Sequence, residues 1–243
     1  MARHSLRITD LRVAVVKGAP MTCPIRRIDT DQGISGYGEV RDAASPTYAL
    51  MLKSRLLGEN PLDVDRLFRK LKQFGGHSRQ AGGVCGVEMA LWDIVGKYYD
   101  VPCYQLLGGQ FRDRIRCYAD TTTATDPAVT VERLRERLER GFTFLKLDVG
   151  IELLQSQPGL ITAPSGTSLG QGAGIPHQFT GIELTQRGID LLADYFRQVR
   201  EGLGYGVPLA IDHVGHVGLN SSIRLGRALE PYNPAWLEDL LPW

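Results

Sequence analysis

The sequence has no apolar run of about eighteen residues, so it lacks the ordinary signature of a membrane-spanning helix. It has almost no net charge: 28 Lys and Arg stand against 27 Asp and Glu, which leaves +1. That balance excludes a nucleic-acid-coating protein or a polybasic membrane binder, because both depend on an excess of cations. No apolar signal core follows the opening MARHSLRITD, so secretion is not expected and a cytoplasmic location is. Cysteine is sparse, with Cys23, Cys85, Cys103 and Cys117 far apart and no CxxC pair. A zinc site built on them is not expected, and a chain of this size needs no disulfide framework. What is present is a globular mixture, 43% apolar and 23% charged over 243 residues. Such a length makes one large domain or two modest ones.

The chain changes character near residue 113. Before it, Leu6, Ile8, Leu11, Val13 and Val15 alternate as a strand, with one irregularity near Asp10. Ile25–Thr30 and Ile34–Val40 flank Asp31-Gln32-Gly33, which reads as a hairpin turn. Asn60-Pro61 is a helix start, and Leu67, Phe68, Leu71 and Phe74 follow at helical spacing. Val84 to Tyr98 is apolar nearly all round, which predicts a buried helix. Residues 1–113 therefore read as a small α+β unit.

After Arg114 the periodicity alternates between strand and helix. Strands are predicted over Ile115–Ala119, Phe142–Val149, Pro208–His213 and Ala235–Leu241. Helices are predicted over Val131–Arg140, from Ile189 to Leu203, and over Leu219–Leu229. A stretch rich in Gly, Ser, Thr, Pro and Gln, residues 150–182, interrupts the second unit and is expected as a loop or lid. The alternation is that of parallel crossover units. A closed eight-unit barrel takes roughly 250 residues, so residues 114–243 supply about half of one.

In parallel α/β sheets the working side chains stand at the carboxyl ends of the strands. Here those ends carry Lys146 and Asp148, then Asp212-His213, then Glu238-Asp239. Lys146 and Asp148 are two residues apart, so both point to one face. A lone acid at a strand end commonly caps a helix or sits in solvent. Acids on successive strands beside a lysine point instead to a shared site, and carboxylate oxygens suit a hard divalent cation such as Mg²⁺. His213 adjoins Asp212, and strict alternation turns it away from that face. His216 lies in the loop that follows. Each is either an acid/base group or a hydrogen-bonded structural residue.

Longer motifs carry a resemblance. Gly83-Val84-Cys85-Gly86-Val87-Glu88-Met89-Ala90-Leu91-Trp92-Asp93-Ile94-Val95-Gly96-Lys97 resembles a cap-domain helix of the enolase superfamily, in its mandelate racemase and muconate-lactonizing branch. Val101-Pro102-Cys103-Tyr104-Gln105-Leu106-Leu107-Gly108-Gly109, Gly33-Ile34-Ser35-Gly36-Tyr37-Gly38-Glu39 and Trp236-Leu237-Glu238-Asp239 continue the likeness. The resemblance implies an α/β chain, with an α+β capping domain over residues 1–113. The first half of a (β/α)7β TIM-like barrel would follow over 114–243. It implies Mg²⁺ on three acids of successive strands, matched here by Asp212 and Glu238, with the third on a strand this sequence does not contain. It implies proton abstraction beside a substrate carboxylate and a metal-stabilised enediolate. The family's Lys-x-Lys motif matches only in Lys146, expected to neutralise the substrate carboxylate. Asp148 stands where the second lysine, usually the base, would be. Some sugar-acid dehydratases of the family carry a His two residues after the first ligand. Position 214 is Val here, which leaves His213 and His216 as candidates to act on a departing hydroxyl. Glu39, Glu88 and Asp93 are expected as buried, hydrogen-bonded structural acids.

The expected activity is Mg²⁺-dependent dehydration of an acid sugar, a small carboxylate substrate, by a homo-oligomer. Two alternatives stand beside it. One is a racemase, epimerase or cycloisomerase of the same superfamily. The other is a catalytically incompetent fragment or structural subunit, which an open edge at Ala235–Leu241 would suit.

Overall fold

Alternation builds the first sheet. β1 (Ile8–Val15) pairs antiparallel with β2 (Pro24–Thr30), which pairs antiparallel with β3 (Ser35–Glu39). The computed structural model describes residues 6–18, 22–40, 46–75, 83–154, 157–164, 181–212 and 217–240. Two compact units divide the chain, residues 1–113 and 114–242. In the first, the β1–β2 register shifts between Ile8 and Asp10, a bulge at the irregularity that the sequence shows. Gly33 closes the β2–β3 turn at φ 77°, a left-handed geometry that costs glycine little.

Among the described residues five helices follow: α1 (Pro46–Met51), α2 (Lys53–Leu56), α3 (Val64–Lys72), α4 (Val84–Tyr99) and α5 (Cys103–Leu106). α4 buries Val84, Val87, Ala90, Leu91 and Ile94 against this unit's core, which also holds Leu6, Ile8, Leu11, Ile28, Leu67 and Leu71. It lies so close to β3 that a Cβ on Gly36 would come 2.0 Å from the Ala90 carbonyl oxygen. One on Gly38 would come 1.9 Å from that of Gly86. α3 begins later than the Asn60-Pro61 signal predicts. Asn60 Oδ1 accepts the Leu62 N–H at 3.1 Å, so this side chain closes a turn and Asp63 becomes the residue before the helix. Glu39 is exposed, against the expectation of a buried acid, because its place on β3 faces away from α4. Glu88 and Asp93 are half-buried and accept hydrogen bonds, Glu88 from Trp92 Nε1 and Asp93 from the Tyr37 N–H.

The second unit is a parallel sheet in the order β4 (Ala119–Thr121), β5 (Leu145–Asp148) and β8 (Leu209–Asp212). α6 (Pro127–Glu139) connects β4 to β5 and α7 (Gln186–Leu203) leads into β8. α8 (Leu219–Leu229) follows β8. Asp126 accepts the Ala128 N–H ahead of Pro127, and Thr185 accepts the Gly188 N–H, so both crossover helices carry a side-chain N-cap. The core joins Leu145, Leu147, Leu209 and Ile211 of the sheet to Leu134, Phe196, Val199 and Leu225 of the helices.

Strands are shorter than their apolar runs predict. The first of this unit is Ala119–Thr121 instead of Ile115–Ala119, and Ile115 is largely exposed. The predicted strand over Ala235–Leu241 contracts to one parallel bridge, Ile211↔Leu237, because it has β8 on one side only among the described residues. In the Gly-rich stretch, β6 (Ile161–Thr162) and β7 (Glu183–Leu184) pair antiparallel. Residues 155–156 and 165–180 of it, with the expected lid, lie outside the described residues. Among the described residues no helix is long and apolar enough to cross a membrane.

Candidate active site

Parallel register sets the site. Asp120 on β4 stands opposite Lys146 on β5, and Asp148 at the end of β5 stands opposite Asp212 at the end of β8. The bridge at Leu237 brings Glu238 beside Ile211, whose carbonyl accepts the Glu238 N–H at 2.8 Å. From these positions Lys146 Nζ donates to Asp212 Oδ2 at 2.5 Å and to Glu238 Oε2 at 3.3 Å. Asp120 Oδ2 lies 3.9 Å from the same nitrogen.

Lys146 is only 4% exposed at its side chain and Asp212 7%, whereas Glu238 is 34% exposed and Asp120 60%. Burial works to lower the lysine pKa. The Asp212 hydrogen bond and the nearby charges of Asp120, Asp212 and Glu238 outweigh it and hold Lys146 above the ordinary lysine range. With these partners Lys146 is an ammonium at neutral pH. An aromatic wall flanks it. Lys146 Nζ sits 5.0 Å from the Tyr118 ring centroid, and Trp236 stacks on Phe144 with centroids 4.9 Å apart. Trp236 Nε1 donates to Glu238 Oε2 at 3.1 Å and so helps to aim that carboxylate.

Of the residues singled out in the sequence, Lys146, Asp212 and Glu238 come together. Asp148 is half-buried at the neighbouring strand end, and its backbone carbonyl accepts the Thr123 hydroxyl. His213 and His216 lie outside the described residues. Asp120, Tyr118 and Trp236 were missed. The signal for Asp120 was there, an acid at the end of a strand, but the predicted strand stopped one residue before it.

Asp212 Oδ2 and Glu238 Oε2 converge on one cationic atom, and both are hard oxygen donors of the kind Mg²⁺ prefers. Their donor type fits a divalent cation, and two carboxylates fill only part of its coordination shell. Among the described residues no group of three or more His, Cys, Asp or Glu side chains is placed to hold a metal.

An antiparallel sheet backed by helices makes the first unit, and parallel strand–helix units with acids and a lysine at the strand ends make the second, an α/β arrangement. The mandelate racemase / muconate lactonizing enzyme N-terminal domain matches residues 9–108, and the enolase C-terminal domain-like family matches residues 129–243. The chain belongs to the enolase superfamily, in its mandelate racemase and muconate-lactonizing branch. It is 33% identical to a D-xylonate dehydratase of Haloferax volcanii, over 97% of this chain and 54% of that protein. It is 28% identical to a D-mannonate dehydratase of Novosphingobium aromaticivorans, over 98% and 60%. Among solved structures, a mandelate racemase/muconate lactonizing enzyme-like protein from Rubrobacter xylanophilus is 31% identical with a TM-score of 0.74. That match covers 98% of this chain and 61% of that one. The chain thus spans between half and two thirds of the length of these relatives.

Proposed function

We propose that this chain carries the cap and the first strand–helix units of an acid-sugar dehydratase, a hydro-lyase that removes water from a polyhydroxy carboxylate. The observation that carries the reading is the convergence of Lys146, Asp212 and Glu238 from neighbouring strand positions. The names of the sugar-acid dehydratases it resembles support the substrate class. A cytoplasmic location and assembly from identical copies belong to the same reading.

Asp212 and Glu238 would hold Mg²⁺, which when bound supplies a Lewis acid for the carboxylate oxygens of the substrate. Lys146 adds a permanent positive charge in the same place and orients that carboxylate. Asp148, on the same face of β5, takes the proton from the neighbouring carbon. The electron pair left behind forms a double bond as the β-hydroxyl departs. That hydroxyl takes a proton, for which His213 and His216 are the proposed donors, and leaves as water. Proton and hydroxyl together account for the one molecule of water lost.

The test pairs metal binding with turnover. Asp212→Asn is expected to abolish Mg²⁺ binding measured by titration calorimetry. It is also expected to lower acid-sugar dehydration, followed as 2-keto acid formed, by about a hundredfold or more. Unchanged binding and rate in Asp212→Asn would overturn the assignment.

A further inference from the structure

Among the described residues two arginines are sealed inside this protein, and they are treated differently. Arg200, on α7, is 1% exposed, and its guanidinium donates to the carbonyls of Val207, Tyr232 and Asn233 at 2.9–3.1 Å and to that of Gly204 at 3.4 Å. It works as a strap between α7 and the turn after α8. Arg26, on β2, is 0% exposed, and among the described residues none of its three guanidinium nitrogens has a hydrogen-bond partner. Burial pulls it down to about 10, and no acid among the described residues opposes the effect. A buried charge without a partner destabilises the fold. Evolution removes such a charge readily, because an apolar residue at this place on the strand would simply join the core.

Its surroundings say what would satisfy it. Alternation turns Arg26 and Ile28 inward, while Arg27 faces out and bonds Asp29 at 2.7 Å. Arg26 stands between Val13 of β1 and Gly38 of β3. Its Nη2 would lie 2.4 Å from a Cβ on Gly83, so the guanidinium packs directly on the residue that precedes α4. Only glycine leaves room there, and Gly83 also holds a φ of 98°. Gly83 brings no capping side chain, and the first turn of α4 holds no acid. The sixteen-residue helix therefore aims the positive end of its dipole at a place where a fixed cation already sits. Among the described residues nothing of negative charge compensates these two positive features.

We propose that Arg26 and the first turn of α4 form a binding site for a small oxyanion, a carboxylate or a phosphate. The guanidinium offers a planar fork that takes two oxygens at once, and the helix end offers backbone N–H groups. The residues that make it, Arg26 and the first turn of α4, all belong to the first unit, residues 1–113. Because no atom of the fork is open to solvent, uptake needs a local opening of the packing around it.

The test is a thermal melt of the full 243-residue chain in sodium phosphate or sodium succinate, each against sodium chloride at equal ionic strength. Phosphate, succinate or both are expected to raise the midpoint by about 4 °C over chloride at tens of millimolar. A response to phosphate alone assigns a phosphate ligand, and a response to succinate assigns a carboxylate. Arg26→Leu is expected to melt higher than wild type in chloride and to lose the anion-specific rise. If that variant does not fold, Arg26→Lys carries the test, because it keeps the charge and loses the fork. The rise should then fall by at least half. No rise over chloride in wild type, or a rise unchanged in either variant, would overturn the proposal.

Discussion

At the scale of single residues, the informative side chain is Lys146. Its ammonium neutralises Asp212 and Glu238 in a place where water hardly enters. Removing it leaves two facing carboxylates without their cation, a loss that buried pairs register as about 3 kcal/mol, taken at the low end because Glu238 is partly solvated. Lys146→Met is therefore expected to lower the melting midpoint clearly, and Mg²⁺ is expected to restore part of the loss. Wild type should respond less, since its two oxygens are already neutralised. Melting curves of both proteins with and without Mg²⁺ decide it, and a Lys146→Met chain that melts like wild type in both would sink this account. The residues of this cluster were legible beforehand because strand alternation is a strong local rule: Lys146, Asp212 and Glu238 each end an apolar run. Asp120 carried the same signal but was passed over, because a three-residue strand leaves too little pattern to fix its end. Alternation puts only one of Arg26 and Arg27 on the inner face of β2. It could not say which one, or that the inward one lacks a partner, since that depends on what α4 brings to the sheet.

At the scale of elements, α4 and α8 were read to within a residue, while α1, α2 and α5 were not foreseen and α6 begins four residues before its predicted start. A helix makes its hydrogen bonds within itself, so its pattern and its stop signals sit in the local sequence. α8 runs over Leu219–Leu229 as predicted, and α4 ends at Tyr99, one residue beyond the prediction. A strand ends where its neighbour ends. Phe142–Val149 shortens to Leu145–Asp148 because only that part pairs with β8, and only Leu145–Leu147 of it with β4 as well. The tight seat of α4 on β3 was equally invisible, although both glycines that permit it are plain in the sequence. Gly38→Ala would drive a methyl into the Gly86 carbonyl, and a backbone oxygen cannot swing aside as a side chain can. Overpacking of this kind costs about 3 kcal/mol, the upper end of the usual range, because the whole helix must lift. Urea denaturation of Gly38→Ala should show that loss, and a loss below about 0.5 kcal/mol would mean that α4 shifts freely on its sheet.

At the scale of the whole molecule, two hydrophobic clusters share no residue. One runs from Leu6 to Val95 with Leu106 at its edge, and the other from Ala119 to Leu229 with Leu240 at its edge. Each unit closes its own core, which is the condition for separate cooperative melting. Calorimetry of the intact chain is expected to show two transitions. Gly38→Ala should move one of them and leave the other in place. Gly188→Ala should do the reverse, since a Cβ there would come 2.1 Å from the Leu160 carbonyl oxygen in the second core. The pair of variants also separates the two functional proposals. An oxyanion that binds at Arg26 should raise the transition that Gly38→Ala lowers, and Mg²⁺ at Asp212 and Glu238 should raise the one that Gly188→Ala lowers. A single transition that moves as a whole with either glycine would mean that the two cores unfold as one body, and ligand effects could then no longer be assigned to a unit by melting alone.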